Sequence, residues 1–209
     1  MCGRYTVLTG DEIIEIREIL KNLSLHIVRD EFLEYNEENG EICPADFAPV
    51  ITKSENGLYF ESLKWGFKKW NESGVIINAR CETIKIKSTF SSLIKTCRCL
   101  VPAREFFEWK KLDKGKKKHF VKGKNDNILF MAGLYRNTTE GREFVIITKN
   151  AVGEMKNVHD RMPVILRVNQ IEAWLSGKLT PEDLEKLNFD VAVNPCEDDD
   201  NYNEQLSLF

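Results

Sequence analysis

The sequence has no apolar run approaching the roughly 18 residues that a membrane-crossing helix needs, so no bilayer span is expected. Its start lacks the apolar core of a signal peptide: Thr9 to Asn22 is charged and periodic rather than continuously hydrophobic. A cytoplasmic location is the expectation. Histidine is scarce, with only His26, His119 and His159. The six cysteines are scattered, and the one close pair, Cys97-Arg98-Cys99, has no second ligand pair to complete a zinc site. Neither a disulfide scaffold nor a bound metal or cofactor is expected. Also missing are a Pro/Gly/Ser-rich linker, an internal repeat and the βαβ alternation of a parallel sheet.

What is present is a globular composition, 42% hydrophobic and 30% charged, with a net charge of −3. That balance argues against a general polyanion binder, but the charge is unevenly spread. Acidic residues gather between Asp30 and Glu41 and in Glu197-Asp198-Asp199-Asp200, while Lys110 to Lys124 holds eight lysines. The middle of the chain is therefore mildly basic and compatible with a local phosphate-binding surface. Read by itself, Lys114-Gly115-Lys116-Lys117-Lys118 is the solvated tip of a hairpin.

Thr9-Gly10-Asp11-Glu12 has the form of a capping box, opening an amphipathic helix over 10–22 with Ile13, Ile16 and Leu20 on one face. A polar stretch follows to Gly40. Strands are expected at 47–53, 58–65 and 75–80, with Asn56-Gly57 as the turn between the first two. A helix at 87–97 follows, then strands at 99–103, 105–110, 118–122, 128–134 and 143–149. Val164 to Val168 reads as another strand. Asn169 is placed to cap a helix through Trp174 that stops at Gly177, and Thr180-Pro181-Glu182-Asp183 starts a further one. Many short strands with interspersed helices indicate an α+β fold with mainly antiparallel sheet. One domain is expected over 1–195, with a polar tail over 196–209.

Met1-Cys2 is the first chemical signal. Removal of Met1 would leave one residue carrying both an α-amine, with an ordinary pKa of about 7.7–8.0, and a thiol near 8.5. Such a 1,2-aminothiol can attack an aldehyde twice, amine to imine and then sulfur to a five-membered thiazolidine. Four further segments set polar groups among apolar ones. Asn78 follows the strand Val75-Ile76-Ile77, where an ordinary turn residue is the plain alternative. Glu108 sits in Phe106-Phe107-Glu108-Trp109, and could equally face solvent from a strand. His159 lies in His159-Asp160-Arg161-Met162-Pro163, where a surface histidine would also serve. Trp65-Gly66-Phe67-Lys68-Lys69-Trp70 mixes aromatic faces with cations, as a single-strand nucleic-acid platform does, although Trp65 and Trp70 would also suit a core.

Together and in this order the motifs resemble the SOS response-associated peptidase (SRAP) family. They are Cys2-Gly3-Arg4-Tyr5, Trp65-Gly66-Phe67, Asn78-Ala79-Arg80-x-Glu82-Thr83, Arg98-Cys99-Leu100-Val101-Pro102, Phe106-Phe107-Glu108-Trp109, Val158-His159-Asp160-Arg161-Met162-Pro163 and Val193-Asn194. The resemblance covers about residues 2–195 and implies a distorted, barrel-like core flanked by short helices. It implies covalent capture of abasic sites in single-stranded DNA, in the DNA-damage (SOS) response, by a monomer associated with the nucleoid and replication fork. Cys2 would form the thiazolidine. Asn78 would orient the N-terminal residue, while Glu108 and His159 would move protons. Arg4 and Arg80 would hold flanking phosphates, and Trp65, Phe67 and Trp70 would stack or wedge against bases. A thiol peptidase or self-processing hydrolase using Cys2, and a non-catalytic single-strand-binding adaptor, are the alternatives. The chain departs from the family pattern at Glu105, at Lys68 and at Glu41-Ile42-Cys43-Pro44, where the family's usual polar contact is replaced.

The chain ends in Gln205-Leu206-Ser207-Leu208-Phe209 behind the acidic run. Three large apolar residues on a polar tail either tuck onto the domain or enter a partner. The peptide resembles the bacterial sliding-clamp-binding motif, in which Leu206, Leu208 and Phe209 would fill a hydrophobic groove and Gln205 would bond at its edge.

Overall fold

The computed structural model describes residues 2–6, 8–31, 40–69 and 73–196. β1 (Tyr5–Thr6) leads into α1 (Gly10–Asn22), then β2 (Ile27–Asp30) and β3 (Glu41–Ile42). A hairpin follows, β4 (Phe47–Ser54) and β5 (Gly57–Trp65), and then the short β6 (Phe67–Lys68), β7 (Val75–Ile76) and β8 (Asn78–Arg80). α2 (Ser88–Ser91) and α3 (Leu93–Thr96) precede β9 (Arg98–Ala103), β10 (Glu105–Lys111), β11 (Lys116–Gly123), β12 (Leu129–Thr138) and β13 (Gly141–Asn150). The chain then forms β14 (Arg161–Pro163), β15 (Ile165–Leu166), α4 (Ile171–Leu175), α5 (Pro181–Lys186) and β16 (Val191–Pro195).

The architecture is the α+β, mainly antiparallel one expected, and its centre is a closed barrel. β13, β12, β9, β4 and β5 pair in that order as antiparallel neighbours, and a parallel pairing of β5 with β13 closes the ring at Phe144↔Trp65. Closure explains the unbroken apolar runs Leu129–Leu134 and Phe144–Ile147, since both faces of these strands are covered. One face packs Ile51, Phe60, Leu100 and Val145 against Ile13, Ile16 and Leu20 of α1 and Trp174 of α4. The other packs Val50, Trp65, Val101 and Phe144 against Cys2, Tyr5, Phe106 and Val121. Those last four belong to a five-stranded sheet in the order β16-β11-β10-β1-β3 and the residues leading into it.

The two capping boxes form as read, Thr9 with Glu12 and Thr180 with Asp183. Four local expectations do not hold, the first being the strand over 75–80, which divides into β7, paired with β6, and β8, paired with β13. The helix over 87–97 is two short helices that meet at Ser92, beside a second serine whose hydroxyl competes for helical backbone groups. The strand expected at Val164 to Val168 is only the two-residue β15, ending at Leu166. Asn169 does not cap α4: it lies in a one-turn 3-10 segment, and Gln170 at the cap makes no side-chain bond to the helix. The polar stretch before Gly40 contains β2, a strand missed because only Ile27 and Val28 in it are apolar.

Candidate active site

Cys2 is fully buried, placed there by the sheet next to it. Tyr5 pairs with Phe106, and the Phe107 N–H donates to Arg4 O at 2.9 Å, so the chain before β1 runs back along β10 past Glu108. Glu108 is 2% exposed and faces His119 across β11. β10 alternates as sequence requires, with Phe106 and Glu108 on the covered side and Phe107 and Trp109 on the other.

Asn78 arrives from a different sheet. β8 runs parallel to β13, with Asn78 opposite Ile146, and its Nδ2 donates to Cys2 O at 2.9 Å. Its Oδ1 is buried with no hydrogen-bond partner among the described residues. The amide therefore grips the backbone of Cys2 with one end and aims an unused acceptor into the same region.

The electrostatics of the pair follow from burial. Desolvation pushes the Cys2 thiol far above its ordinary pKa, and the neighbouring Glu108 carboxylate pushes it further. The Glu108 carboxyl is raised too, first by burial, with the nearby His159 acting in the opposite direction. Burial and the Glu108 carboxylate leave Cys2 as a neutral thiol, and burial inclines Glu108 to hold a proton.

His159 follows a 3-10 segment over Gly153–Asn157, and its N–H donates to Met155 O at 3.0 Å. Its Nδ1 lies 2.9 Å from the Arg161 N–H and 2.8 Å from Asp160 Oδ1. These contacts require opposite protonation of Nδ1. The backbone donor cannot turn away, whereas the Asp160 side chain is 84% exposed and can. Whenever the ring is neutral, accepting at Nδ1 leaves its one proton on Nε2.

An ion pair that sequence reasoning missed ties the Asn78 and His159 segments together. Arg161 grips both carboxylate oxygens of Glu82, Nη2 to Oε2 at 2.9 Å, and also donates to Asn150 Oδ1 and Thr148 O. The guanidinium is 7% exposed. Both residues stood inside quoted motifs, yet nothing in a linear text says that positions 82 and 161 meet.

The predicted DNA-contacting residues divide. Arg4 lies beside Cys2 but turns to the other side of the sheet, over the Trp109 ring and against Glu41. Arg80 is exposed at the end of β8. Trp65 and Phe67, read as base-stacking residues, are both fully buried. Trp65 stacks on Phe144 with centroids 6.3 Å apart, leans on Tyr5 at 5.0 Å and donates its indole N–H to Ile77 O. Phe67 is covered by Phe90 and the Arg136 guanidinium. Neither ring offers a face to a base, because both close the barrel's surroundings instead. Trp70 and the tail residues Gln205, Leu206, Leu208 and Phe209 lie outside the described residues. Cys2, Cys43, Cys81, Cys97 and Cys99 are free thiols, and no described helix is long and apolar enough to cross a membrane.

Comparison with known proteins gives the chain's family and relatives. A model of the family described as SOS response associated peptidase (SRAP) matches residues 1–199. An abasic site processing protein of Bacillus subtilis (strain 168), YoqW, is 34% identical, covering 99% of this chain and 92% of that one. The abasic site processing protein YedK of Escherichia coli (strain K12) is 25% identical over 90% and 85% of the two chains. Among solved structures, a phage-related protein from Bordetella bronchiseptica superposes with a TM-score of 0.70 at 26% identity, covering 94% of each chain.

Proposed function

The chain belongs to the SOS response associated peptidase family, and from that premise we propose that it captures abasic sites in single-stranded DNA as a thiazolidine on Cys2. The observation that carries this reading is the meeting of Cys2, Asn78 and Glu108 from three separate segments, with Asn78 bonded to the Cys2 backbone at 2.9 Å.

The chemistry requires that Met1 be removed, exposing the α-amine of Cys2. That amine adds to C1 of the ring-opened sugar, giving a carbinolamine. Glu108, protonated through burial, gives its proton to the leaving hydroxyl, and water departs as the iminium forms with its N–H retained. The Cys2 thiol then adds across the C=N bond: sulfur bonds to carbon and the nitrogen ends as a secondary amine. The Glu108 carboxylate takes the thiol proton in that step, so one residue serves as acid and then base. Asn78 holds the backbone of Cys2 while its Oδ1 orients the sugar. His159, with its proton on Nε2, assists sugar opening and exchanges charge with Glu108. Arg80 and Arg4 hold phosphates on either side of the lesion.

A peptidase using Cys2 fits less well, because a thiolate is the competent nucleophile and burial here holds the thiol protonated. The tail Gln205-Leu206-Ser207-Leu208-Phe209 is proposed to dock on a sliding clamp, delivering the domain to replication forks. The central test is a heat-stable adduct between the Met1-trimmed protein and a single-stranded oligonucleotide with one abasic site. Cys2→Ala, and a variant with one extra residue before Cys2, should give none. An undiminished adduct from either variant would overturn the proposal.

A further inference from the structure

The five-stranded sheet has a second face, turned away from Glu108. There Trp109 lies opposite Lys118, and two cations share its ring: Arg4 at 5.5 Å and Lys118 at 6.0 Å from the centroid. Between them sits one carboxylate. Glu41 Oε2 accepts from Arg4 Nη1 at 3.0 Å, and Glu41 Oε1 accepts from Lys118 Nζ at 2.8 Å. The three side chains are only 23%, 27% and 12% exposed, for Arg4, Glu41 and Lys118 in turn.

An anion held by a guanidinium fork and an ammonium over an aromatic plane is the geometry in which a nucleic-acid phosphate is bound. The next pair outward on the same face is Lys111 opposite Lys116. Like charges directly across two strands oppose pairing, and neither lysine forms an ion pair with a described residue. The face thus presents a cationic position filled by an internal carboxylate, followed one strand step on by a cationic position with no anion.

We propose that Arg4, Trp109 and Lys118 form a phosphodiester seat, that Glu41 occupies it in the free protein, and that single-stranded DNA displaces Glu41 and runs on over Lys111 and Lys116. The strand's identity as DNA rests on the proposed function; the seat itself rests on this geometry. Glu41 then sets selectivity. On intact DNA its competition lets the strand go, whereas at an abasic site the covalent bond retains it.

The test is binding of an undamaged single-stranded oligonucleotide across a salt series, followed by fluorescence anisotropy. Glu41→Gln should tighten binding by about threefold to tenfold, of the order of the two ion pairs released. Glu154→Gln, which removes an equal charge from the exposed Lys124 pair, should change it less than about twofold. Adding Lys118→Met to Glu41→Gln should erase the gain and lower the salt slope by about 0.7, the value of one single-strand phosphate contact. Arg4→Gln in the same background should also erase the gain, which guards against a poorly folded Lys118 variant. A gain no larger than that of Glu154→Gln, or one that survives both second substitutions, would overturn the proposal. Adduct formation by the wild type is scored separately, so failure here leaves the covalent reading standing.

Discussion

Replacing Glu82 by Gln isolates the ion pair that joins the Asn78 strand to the His159 segment. Removing one partner of a buried pair typically costs about 3–5 kcal/mol. Here Glu82 is 32% exposed, and Arg161 keeps Asn150 Oδ1 at 2.6 Å and Thr148 O at 2.9 Å. The retained acceptors and partial solvent screening bring the expected cost to about 2 kcal/mol. For a chain of this size, at about 2–4 °C per kcal/mol, the melting temperature should fall by about 4–8 °C. The pH dependence follows from the same bond, since the Arg161 hydrogen bond holds the Glu82 carboxyl below its ordinary range. A carboxyl lowered on folding contributes its full stability above the unfolded pKa, about 4.3, and loses it as pH falls through the folded value. The gap between wild type and Glu82→Gln should therefore be full at pH 7 and narrow below about pH 4. Thermal melts of both proteins between pH 7 and 3 measure it. A melting temperature within about 1 °C of wild type at pH 7, or a gap that stays constant into acid, would refute the reasoning.

Two further outcomes are expected. Glu108→Gln removes the raised carboxyl that donates to the departing hydroxyl, so single-turnover adduct formation should slow by about 10²- to 10⁴-fold. The wild-type rate should decline once pH passes the raised pKa of Glu108. The variant's rate should instead keep rising as the α-amine deprotonates, up to about pH 8; matching profiles would remove Glu108 from proton transfer. Deleting residues 205–209 should abolish binding to a bacterial sliding clamp in surface plasmon resonance and leave adduct formation intact, and unchanged clamp affinity would end the tail proposal.

The residues that gather around Cys2 were legible because each stands in a short motif whose neighbours are also informative. Asn78 closes an apolar strand, Glu108 is bracketed by aromatics, and both reach Cys2. The capping boxes were legible for the same reason, being contacts between residues three apart. The failures were of a different kind. Trp65 and Phe67 carry cations beside them in sequence, but strand alternation turns the lysines out and the rings in, and composition cannot show which face a β-strand buries. Glu41 read as a departure from a motif, and its pairing with Arg4 and Lys118 spans 37 and 77 residues. Glu82 and Arg161 are 79 apart. Long-range ion pairs set by sheet register leave no local pattern.

The pairing of Tyr5 with Phe106 also fixes a timetable for synthesis. β1 has no partner on β10 until about a hundred further residues have been made, and Asn78 and His159 emerge along the way or later. At about 5–20 residues per second, that interval is roughly 5–20 s. Cys2, fully covered in the finished protein, is thus accessible as a nascent end for seconds before the sheet can close over it. Those seconds are the window in which an aminopeptidase can reach Met1. Under the proposed function, this order of synthesis would let Met1 be trimmed before the sheet encloses Cys2.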